Sequence, residues 1–147
     1  MEQHLAPYLA GLFDGEGSVV IVETKRAARG MRTAFYLKIN IVNTHRGVMT
    51  LLRDTFGGYL SKGRVHEGWA VCWMWELHSN NAMEFLKTLL PYLVIKKREA
   101  QIAIEFQKHM EFYGGHGAIP DKVNEYRRSF RTRIQEAREE YFMKPRE

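Results

Sequence analysis

Residues 9–17 read Leu-Ala-Gly-Leu-Phe-Asp-Gly-Glu-Gly, an apolar helical turn that ends in two carboxylates among glycines. The small residues Ala10 and Gly11 allow the backbone of another helix to approach closely. The same stretch places Asp14 and Glu16 where glycine ends the helix. This segment therefore predicts a helix that packs tightly against a second helix and presents acidic groups at its end.

The rest of the chain alternates between helical and strand-like patterns. Helices are predicted to begin at Leu5 and to span Arg46–Phe56, Asn80–Leu90 with Ser79 or Asn80 as cap, Lys97–Tyr113 and Asp121–Phe142. Strands are predicted at Ser18–Arg26, Ala34–Val42, Tyr59–Val65 and Trp69–Leu77, with the two tryptophans Trp73 and Trp75 in the core. The element order αββαββα, followed by helices at about 97–142, predicts an α+β fold with a four-stranded antiparallel sheet. Residues 1–147 form one domain.

The nonapeptide, followed at once by a strand, resembles the signature of the LAGLIDADG homing endonucleases, with Phe13 and Glu16 as the main variations. A core helix that merely ends in a glycine cap is the alternative, and the match of all nine positions argues against it. The resemblance covers about residues 5–105, and the homing endonuclease fold has the same element order. It implies a site-specific double-strand DNA endonuclease that leaves 3′ overhangs and is encoded by a mobile intron.

Composition restricts the class of protein. The chain has 147 residues and a single cysteine, Cys72, so it forms no internal disulfide. No segment approaches the length needed to span a bilayer, and the first residues do not resemble a signal peptide. We therefore expect no membrane partner and a cytoplasmic location, or an organellar matrix if the gene is organelle-encoded.

Positive charge is concentrated in one stretch. From Gly17 to Arg46 the chain contains six basic residues and one acidic residue. The resulting charge of +5 equals the net charge of the whole chain. A basic field on a predicted β-ribbon favours a polyanion as partner. A solvated hairpin rich in arginine and lysine is the alternative.

Two copies of the first helix, pressed together, would bring two copies of Glu16 close to one another. Like charges at that range repel unless a cation lies between them. Oxygen ligands and a phosphate substrate indicate Mg²⁺. The resemblance implies that Glu16 and the carbonyl of Gly15 bind the metal, with Mn²⁺ as a substitute and Ca²⁺ as an ion that binds without supporting cleavage. Asp14 is expected to orient the helix end rather than to bind metal.

The nonapeptide occurs once, so the expected active form is a homodimer with an isologous helix interface. A two-fold protein prefers a roughly palindromic DNA target. We assign the interface to five residues of the motif: Leu9, Ala10, Gly11, Phe13 and Asp14.

Further catalytic residues are implied by the resemblance. Lys96, after the segment Pro91–Ile95, matches a lysine that lies near the scissile phosphate; an exposed lysine at a helix start is the alternative. Asn43 falls where relatives often carry a glutamine that holds active-site water. His45 or Arg46 supplies a peripheral basic residue, and the sequence does not choose between them.

A two-stranded ribbon fits the major groove, with alternate residues facing the bases. On the first strand the family register favours the face that carries Arg26, and on the second strand polar and apolar residues alternate clearly. In the second hairpin both faces remain candidates. The residues assigned to DNA binding are Val20, Val22, Thr24, Arg26, Arg29, Arg32, Tyr36, Lys38, Asn40, Ser61, Lys62 and Arg64.

Two other functions remain open on the same scaffold. One is an intron maturase that binds host intron RNA and assists splicing, and the other is a DNA-binding regulator that does not cleave. The acid at Glu16 together with Lys96 favours cleavage over both.

Overall fold

The computed structural model describes residues 2–24, 33–113 and 119–142. Within these ranges the helices are α1 (Leu5–Glu16), α2 (Arg46–Phe56), α3 (Ser79–Leu89), α4 (Lys97–Phe112) and α5 (Asp121–Phe142), and the strands are β1 (Gly17–Thr24), β2 (Ala34–Asn43), β3 (Tyr59–Lys62) and β4 (Trp73–His78). None of the described helices is both long enough and apolar enough to cross a membrane.

The four strands form one antiparallel sheet in the order β1-β2-β4-β3. This confirms the predicted α+β fold with a four-stranded sheet. Side chains alternate between its two faces. The helix-covered face carries buried residues such as Val19, Leu37, Ile39 and Trp75.

Helix α5 is fastened to the sheet edge and to α4 by ion pairs. Arg128 and Arg131 both donate to the carboxylate of Glu23 on β1, each at 2.8 Å, and this carboxylate is 6% exposed. Arg138 donates to Glu99 of α4 at 2.7 Å. Because Glu23 is oriented towards α5, it lies on the opposite face from the polar residues of β1.

The second hairpin is shorter than predicted. After Lys62 the Gly63 N–H still donates to the Cys72 carbonyl at 2.7 Å, but regular strand geometry has ended. Val65 and Trp69, assigned to strands from the sequence, are 63% and 76% exposed and lie in the loop. Both side chains remain mostly exposed at this end of the sheet, so β propensity alone does not extend the strands.

The cap predicted for α3 is wrong. His78 occupies the cap position without a side-chain hydrogen bond, and Ser79 adopts φ +51° inside the first turn. The Asn80 carboxamide accepts instead from Gln107 of α4 at 2.7 Å. The Asn80 side chain, which was expected to cap α3, therefore joins α3 to α4 instead.

The two tryptophans differ from each other. Trp75 is fully buried and donates to the Gly57 carbonyl at 2.8 Å, as expected of a core residue. Trp73 is half-buried at the end of β4, with the Arg46 guanidinium 5.2 Å from its ring centre. Core placement is thus confirmed for Trp75, whereas Trp73 lies at the margin of the core.

Candidate active site and DNA-binding surface

The end of α1 is held by the chain segment that precedes α4. The two carboxylate oxygens of Asp14 accept from the backbone N–H groups of Val94 and Lys96, each at 2.9 Å. Lys96 also donates from Nζ to the Asp14 carbonyl oxygen at 2.6 Å. A carboxylate that accepts two backbone hydrogen bonds orients the helix end, which is the role expected of Asp14 from the sequence.

Glu16 is the last residue of α1 and is exposed. The next residue, Gly17, donates its N–H to the Phe13 carbonyl and turns the chain into β1. The last carbonyl groups of a helix have no hydrogen-bond partner within the helix. This end of α1 therefore offers carbonyl oxygens as metal ligands in addition to the carboxylate. The Glu16 carboxylate, the terminal carbonyls and the Lys96 ammonium therefore belong to one small region at the edge of the sheet.

One protomer offers few ligands for a metal. In the described ranges no group of three or more histidine, cysteine, aspartate or glutamate side chains lies close enough together to hold an ion. Asp14 is already engaged by two backbone donors.

The predicted helix interface needs correction at three residues. Leu9, Ala10 and Phe13 have no exposed surface, because they point into the core of their own protomer. Phe13 packs edge-on against Phe85 of α3, with ring centres 5.7 Å apart. These residues build the protomer and are not free to contact a second one.

The free face of α1 consists of other residues. Tyr8, Gly11 and Gly15 are exposed at helical spacing, and a Cβ added to either glycine would meet nothing within 4 Å. Of the predicted interface residues, Gly11 alone lies on this exposed face, and Asp14 is partly buried against the Val94–Lys96 segment. The exposed pair of small residues that permits close approach of a second helix is therefore Gly11 and Gly15, not Gly11 and Ala10.

Three other predicted site residues have partners within the protein. The Asn43 carboxamide accepts from the backbone N–H of His45 at 2.8 Å. His45 caps α2, with Nδ1 accepting from the Val48 N–H at 3.1 Å. Arg46 stacks on Trp73. The structure thus gives each of them a local role in the turn between β2 and α2.

The strand register divides the sheet into two faces. The uncovered face is called here the outer face, and its residues are partly or fully exposed. It consists of Ser18, Val20, Val22 and Thr24 of β1, Ala34, Tyr36, Lys38, Asn40 and Val42 of β2, Met74, Glu76 and His78 of β4, and Tyr59 and Ser61 of β3.

The structure places most of the predicted DNA-binding residues that it describes on the outer face. Lys62 is the exception: it pairs with Trp73 and shares the face of Leu60 and Trp75, because neighbouring residues of a strand point to opposite sides. Arg64 is exposed in the loop after β3. Arg26, Arg29 and Arg32 lie outside the described residues.

Among the outer-face residues that were not assigned to DNA binding from the sequence, Glu76, His78 and Tyr59 lie close together. Glu76 lies in β4 with its carboxylate 3.9 Å from Lys38 Nζ and 3.8 Å from His78 Nε2. Tyr59, 65% exposed, and Tyr36 flank the His78 ring. The signal was available in the alternation of β4: once Trp75 is assigned to the core, Glu76 must point to the other side.

A family model described as LAGLIDADG endonuclease matches residues 9–113 of this chain. The match covers well over half of the chain and includes α1, the sheet and α4. The chain therefore belongs to the LAGLIDADG endonuclease family, a family of DNA-cleaving enzymes. The comparison with curated proteins finds no match.

Solved structures of homing endonucleases share the fold. I-CvuI, in complex with the I-CreI target in the presence of Mg and with the DNA not cleaved, is 14% identical with a TM-score of 0.72, over 92% of this chain and 82% of that chain. The archaeal intron-encoded I-Vdi141I, complexed with DNA, is 13% identical with a TM-score of 0.63, over 93% and 98% of the two chains. I-SmaMI bound to cleaved DNA is 16% identical with a TM-score of 0.67, over 90% of this chain and 44% of its own.

Proposed function

We propose that this protein is a homodimeric, divalent-metal-dependent endonuclease that cleaves both strands of a long, pseudo-palindromic DNA target and leaves 3′ overhangs. The observation that carries the proposal is the exposed Glu16 at the end of α1, two residues after the Asp14 carbonyl that Lys96 Nζ contacts and directly before β1.

The donor set fits a hard divalent cation when two copies of α1 meet. Each copy contributes the Glu16 carboxylate and the Gly15 carbonyl, and Mg²⁺ prefers such oxygen ligands. Mn²⁺ should substitute, whereas Ca²⁺ should bind without supporting cleavage. A bound metal would lower the pKa of its water and stabilise the oxygen that leaves the phosphodiester.

The exposed face of α1 supports a two-fold dimer. Gly11 and Gly15 carry no side chains, so a second copy of the helix meets open space there. In an isologous contact along this face whose two-fold axis runs along the helices, the two Glu16 residues lie at the same end of the dimer. Because a single protomer holds one such acid, the dimer is the smallest form with a complete site.

Lys96 is the candidate for electrostatic stabilisation of the reacting phosphate. The backbone N–H and Nζ of Lys96 both donate to Asp14, which holds the ammonium near the end of α1. In the described contacts no carboxylate side chain pairs with this ammonium. A preorganised cation stabilises charge that develops on phosphate oxygens in the transition state. The Asn43 carboxamide oxygen accepts from the His45 N–H, and its Nδ2 amine keeps two donors that can hold an active-site water, so Asn43 stays a candidate for that role.

The outer face supplies the DNA-binding surface. Val20, Val22, Thr24, Tyr36, Lys38, Asn40 and Ser61 face one side of the sheet at the width of a ribbon that enters the major groove. Phosphate contacts from neighbouring basic residues would set affinity, and the groups on the strands would discriminate bases. No feature of the described residues favours host intron RNA as the partner, so maturase activity stays an outcome of the test.

The test is selection of cleaved sites from a randomised duplex library. Wild-type protein should cut one class of site with 3′ overhangs in Mg²⁺ or Mn²⁺. Glu16→Gln should bind that site but cleave it about a thousandfold more slowly, because a metal contributes several kcal/mol to the transition state. The matched control is Glu84→Gln, which removes an exposed acid paired only with Lys87 in the described contacts of α3 and should cleave like the wild type.

Cleavage by Glu16→Gln at the wild-type rate, or equal loss of binding and cleavage, would contradict the proposal. Wild-type binding without cleavage in any metal would indicate a DNA-binding regulator instead. Binding of structured intron RNA without DNA binding would indicate a maturase.

A further inference from the structure

Among the described strand residues, Glu76 carries the one carboxylate on the outer face. The register sets Glu76 opposite Asn40 of β2 and Tyr59 of β3, near the middle of the sheet. The acid of β1, Glu23, points to the other side and is taken up by arginines of α5. A carboxylate on a surface that meets DNA repels phosphate, so Glu76 lowers affinity unless it meets a donor on a base.

Glu76 is held in place by its neighbours. Lys38 Nζ lies 3.9 Å from one carboxylate oxygen and His78 Nε2 lies 3.8 Å from the other, both beyond ordinary hydrogen-bond length. The ring of His78 is flanked by Tyr36 and Tyr59, with ring centres 5.3 and 5.6 Å away. The carboxylate is about a quarter exposed, so it keeps acceptor capacity for a partner from solution.

An anion and a cation side by side match the major-groove edge of a G·C pair. Guanine presents two acceptors, O6 and N7, and cytosine beside it presents the N4 amine as donor. Lys38 and Glu76 are diagonal neighbours on adjacent strands, and Lys38 Nζ lies 3.9 Å from a Glu76 carboxylate oxygen, so the two groups can meet one base-pair edge. In an A·T pair the N6 amine lies between two acceptors, adenine N7 and thymine O4, so a carboxylate that accepts from N6 also faces the O4 acceptor.

We propose that Glu76 and Lys38 together recognise one G·C base pair in each half-site. Glu76 accepts a hydrogen bond from N4 of cytosine, and Lys38 donates to O6 or N7 of guanine. The inference rests on the proposed function, because it requires the outer face to lie in the major groove. It adds a specificity-determining residue, Glu76, and the base pair that it selects.

A cross-strand ion pair that only stabilises the sheet is the competing explanation. Opposite charges on neighbouring strands do stabilise β2–β4 pairing, so removing either one is expected to affect unfolding. A purely structural pair, however, leaves the preference for bases unchanged at every position. Base preference at equal folding therefore separates the two explanations.

The experiment is a binding selection from a randomised duplex library in Ca²⁺, followed by sequencing. Full-length wild type, Glu76→Gln, Lys38→Met and the control Glu84→Gln are compared, and urea unfolding of each variant checks that it is folded. Wild type and control should prefer G·C about tenfold at one position of each half-site. Both Glu76→Gln and Lys38→Met should lose that preference at the same position, and Glu76→Gln should accept adenine there, because glutamine pairs with its N6 and N7.

Unchanged base preferences in Glu76→Gln, with a clear wild-type site, would overturn the assignment and leave the proposed function standing. Loss of preference at two different positions, or at an A·T pair, would overturn the shared recognition of G·C. Failure of the wild type to select any DNA would overturn both this inference and the proposed function.

Discussion

Lys96 donates two hydrogen bonds to Asp14, although the two residues are 82 positions apart in the chain. The carboxylate of Asp14 accepts from the Lys96 backbone N–H, and the Lys96 ammonium donates to the Asp14 carbonyl. These contacts join the end of the motif helix to the segment that leads into α4. They agree with the expectation that Asp14 orients the helix end.

The Asp14 contacts predict a specific loss of stability. Asp14→Ala leaves the N–H groups of Val94 and Lys96 without their acceptors and should lower the free energy of unfolding by about 1–3 kcal/mol. Asp14→Asn, which keeps one acceptor oxygen, should lose less. Urea unfolding measures both, and Asp54→Ala, which removes an exposed acid paired with the adjacent Arg53, is the control. A loss no larger than that of the control would show that the Asp14 contacts do not stabilise the helix end.

Gly17 is predicted to tolerate no side chain. A Cβ there would overlap the ring of Phe13 and lie 2.6 Å from its carbonyl oxygen. Gly17→Ala should therefore cost about 1–3 kcal/mol through overpacking. Gly15 lies two residues earlier and has open space around it. Gly15→Ala should therefore be neutral or stabilising in the protomer, because alanine favours the helix. Unfolding in protein dilute enough to be monomeric compares the two; equal stability would refute the steric account.

The open face of α1 predicts which substitution separates dimerisation from folding. Gly11→Leu should leave the unfolding of the protomer nearly unchanged, since its side chain meets nothing there. It should raise the dimer dissociation constant strongly, because the two helix backbones can no longer approach. Sedimentation analysis measures the effect, with Asp54→Ala on the exposed surface of α2 as an assembly control. An unaltered dimer of Gly11→Leu would place the interface on another surface.

His109 predicts a pH dependence of stability. Burial and the nearby Arg127 guanidinium lower the pKa of His109, and its Nε2 accepts from Arg127 Nε at 3.2 Å. The rings of Tyr113, Tyr126 and Phe130 surround it. The folded state thus binds the proton more weakly than the unfolded state. Stability is therefore present above the unfolded pKa of about 6.5 and falls as pH drops through the folded value.

The measurement is urea unfolding at pH 7.5 and pH 5.5. Wild type should be less stable at the lower pH, and His109→Gln, which keeps an acceptor but does not titrate, should show a smaller difference. The control is His66→Gln at the exposed tip of the second hairpin, which should behave as wild type. The hydrogen bond from Arg133 lowers the pKa of Glu105 despite the opposing effect of burial, so that group titrates below this window. An unchanged slope in His109→Gln would contradict the assignment.

The sequence was sufficient for the fold and for the position of Glu16, because both rest on local patterns. The bounds of α2 and α5 agree with the helical spacing, and the alternation of β2 separates Lys38 and Asn40 from the buried residues. Where the pattern was weak, in the second hairpin, the strand ends were misplaced: Val65 and Trp69 have β propensity but no surface to pack against.

Tertiary context decided what local patterns could not. The motif helix has two faces, and the sequence did not show which one packs inside the protomer. Leu9, Ala10 and Phe13 are buried in the protomer core, so Gly11 and Gly15 remain exposed for a partner. The capping role of His45 likewise depends on the turn that Asn43 makes with it. Such contacts depend on the geometry of the turn rather than on residue type.

The pairing of two Glu16 residues across the dimer is tested most directly by cross-linking. The variant Glu16→Cys, made in a Cys72→Ser background so that no other cysteine is present, is treated with a short bis-maleimide in the presence of target DNA. The account predicts a covalent dimer, whereas Glu84→Cys in the same background should remain uncross-linked. A monomer at position 16 with full maleimide labelling, or equal cross-linking at both positions, would contradict it.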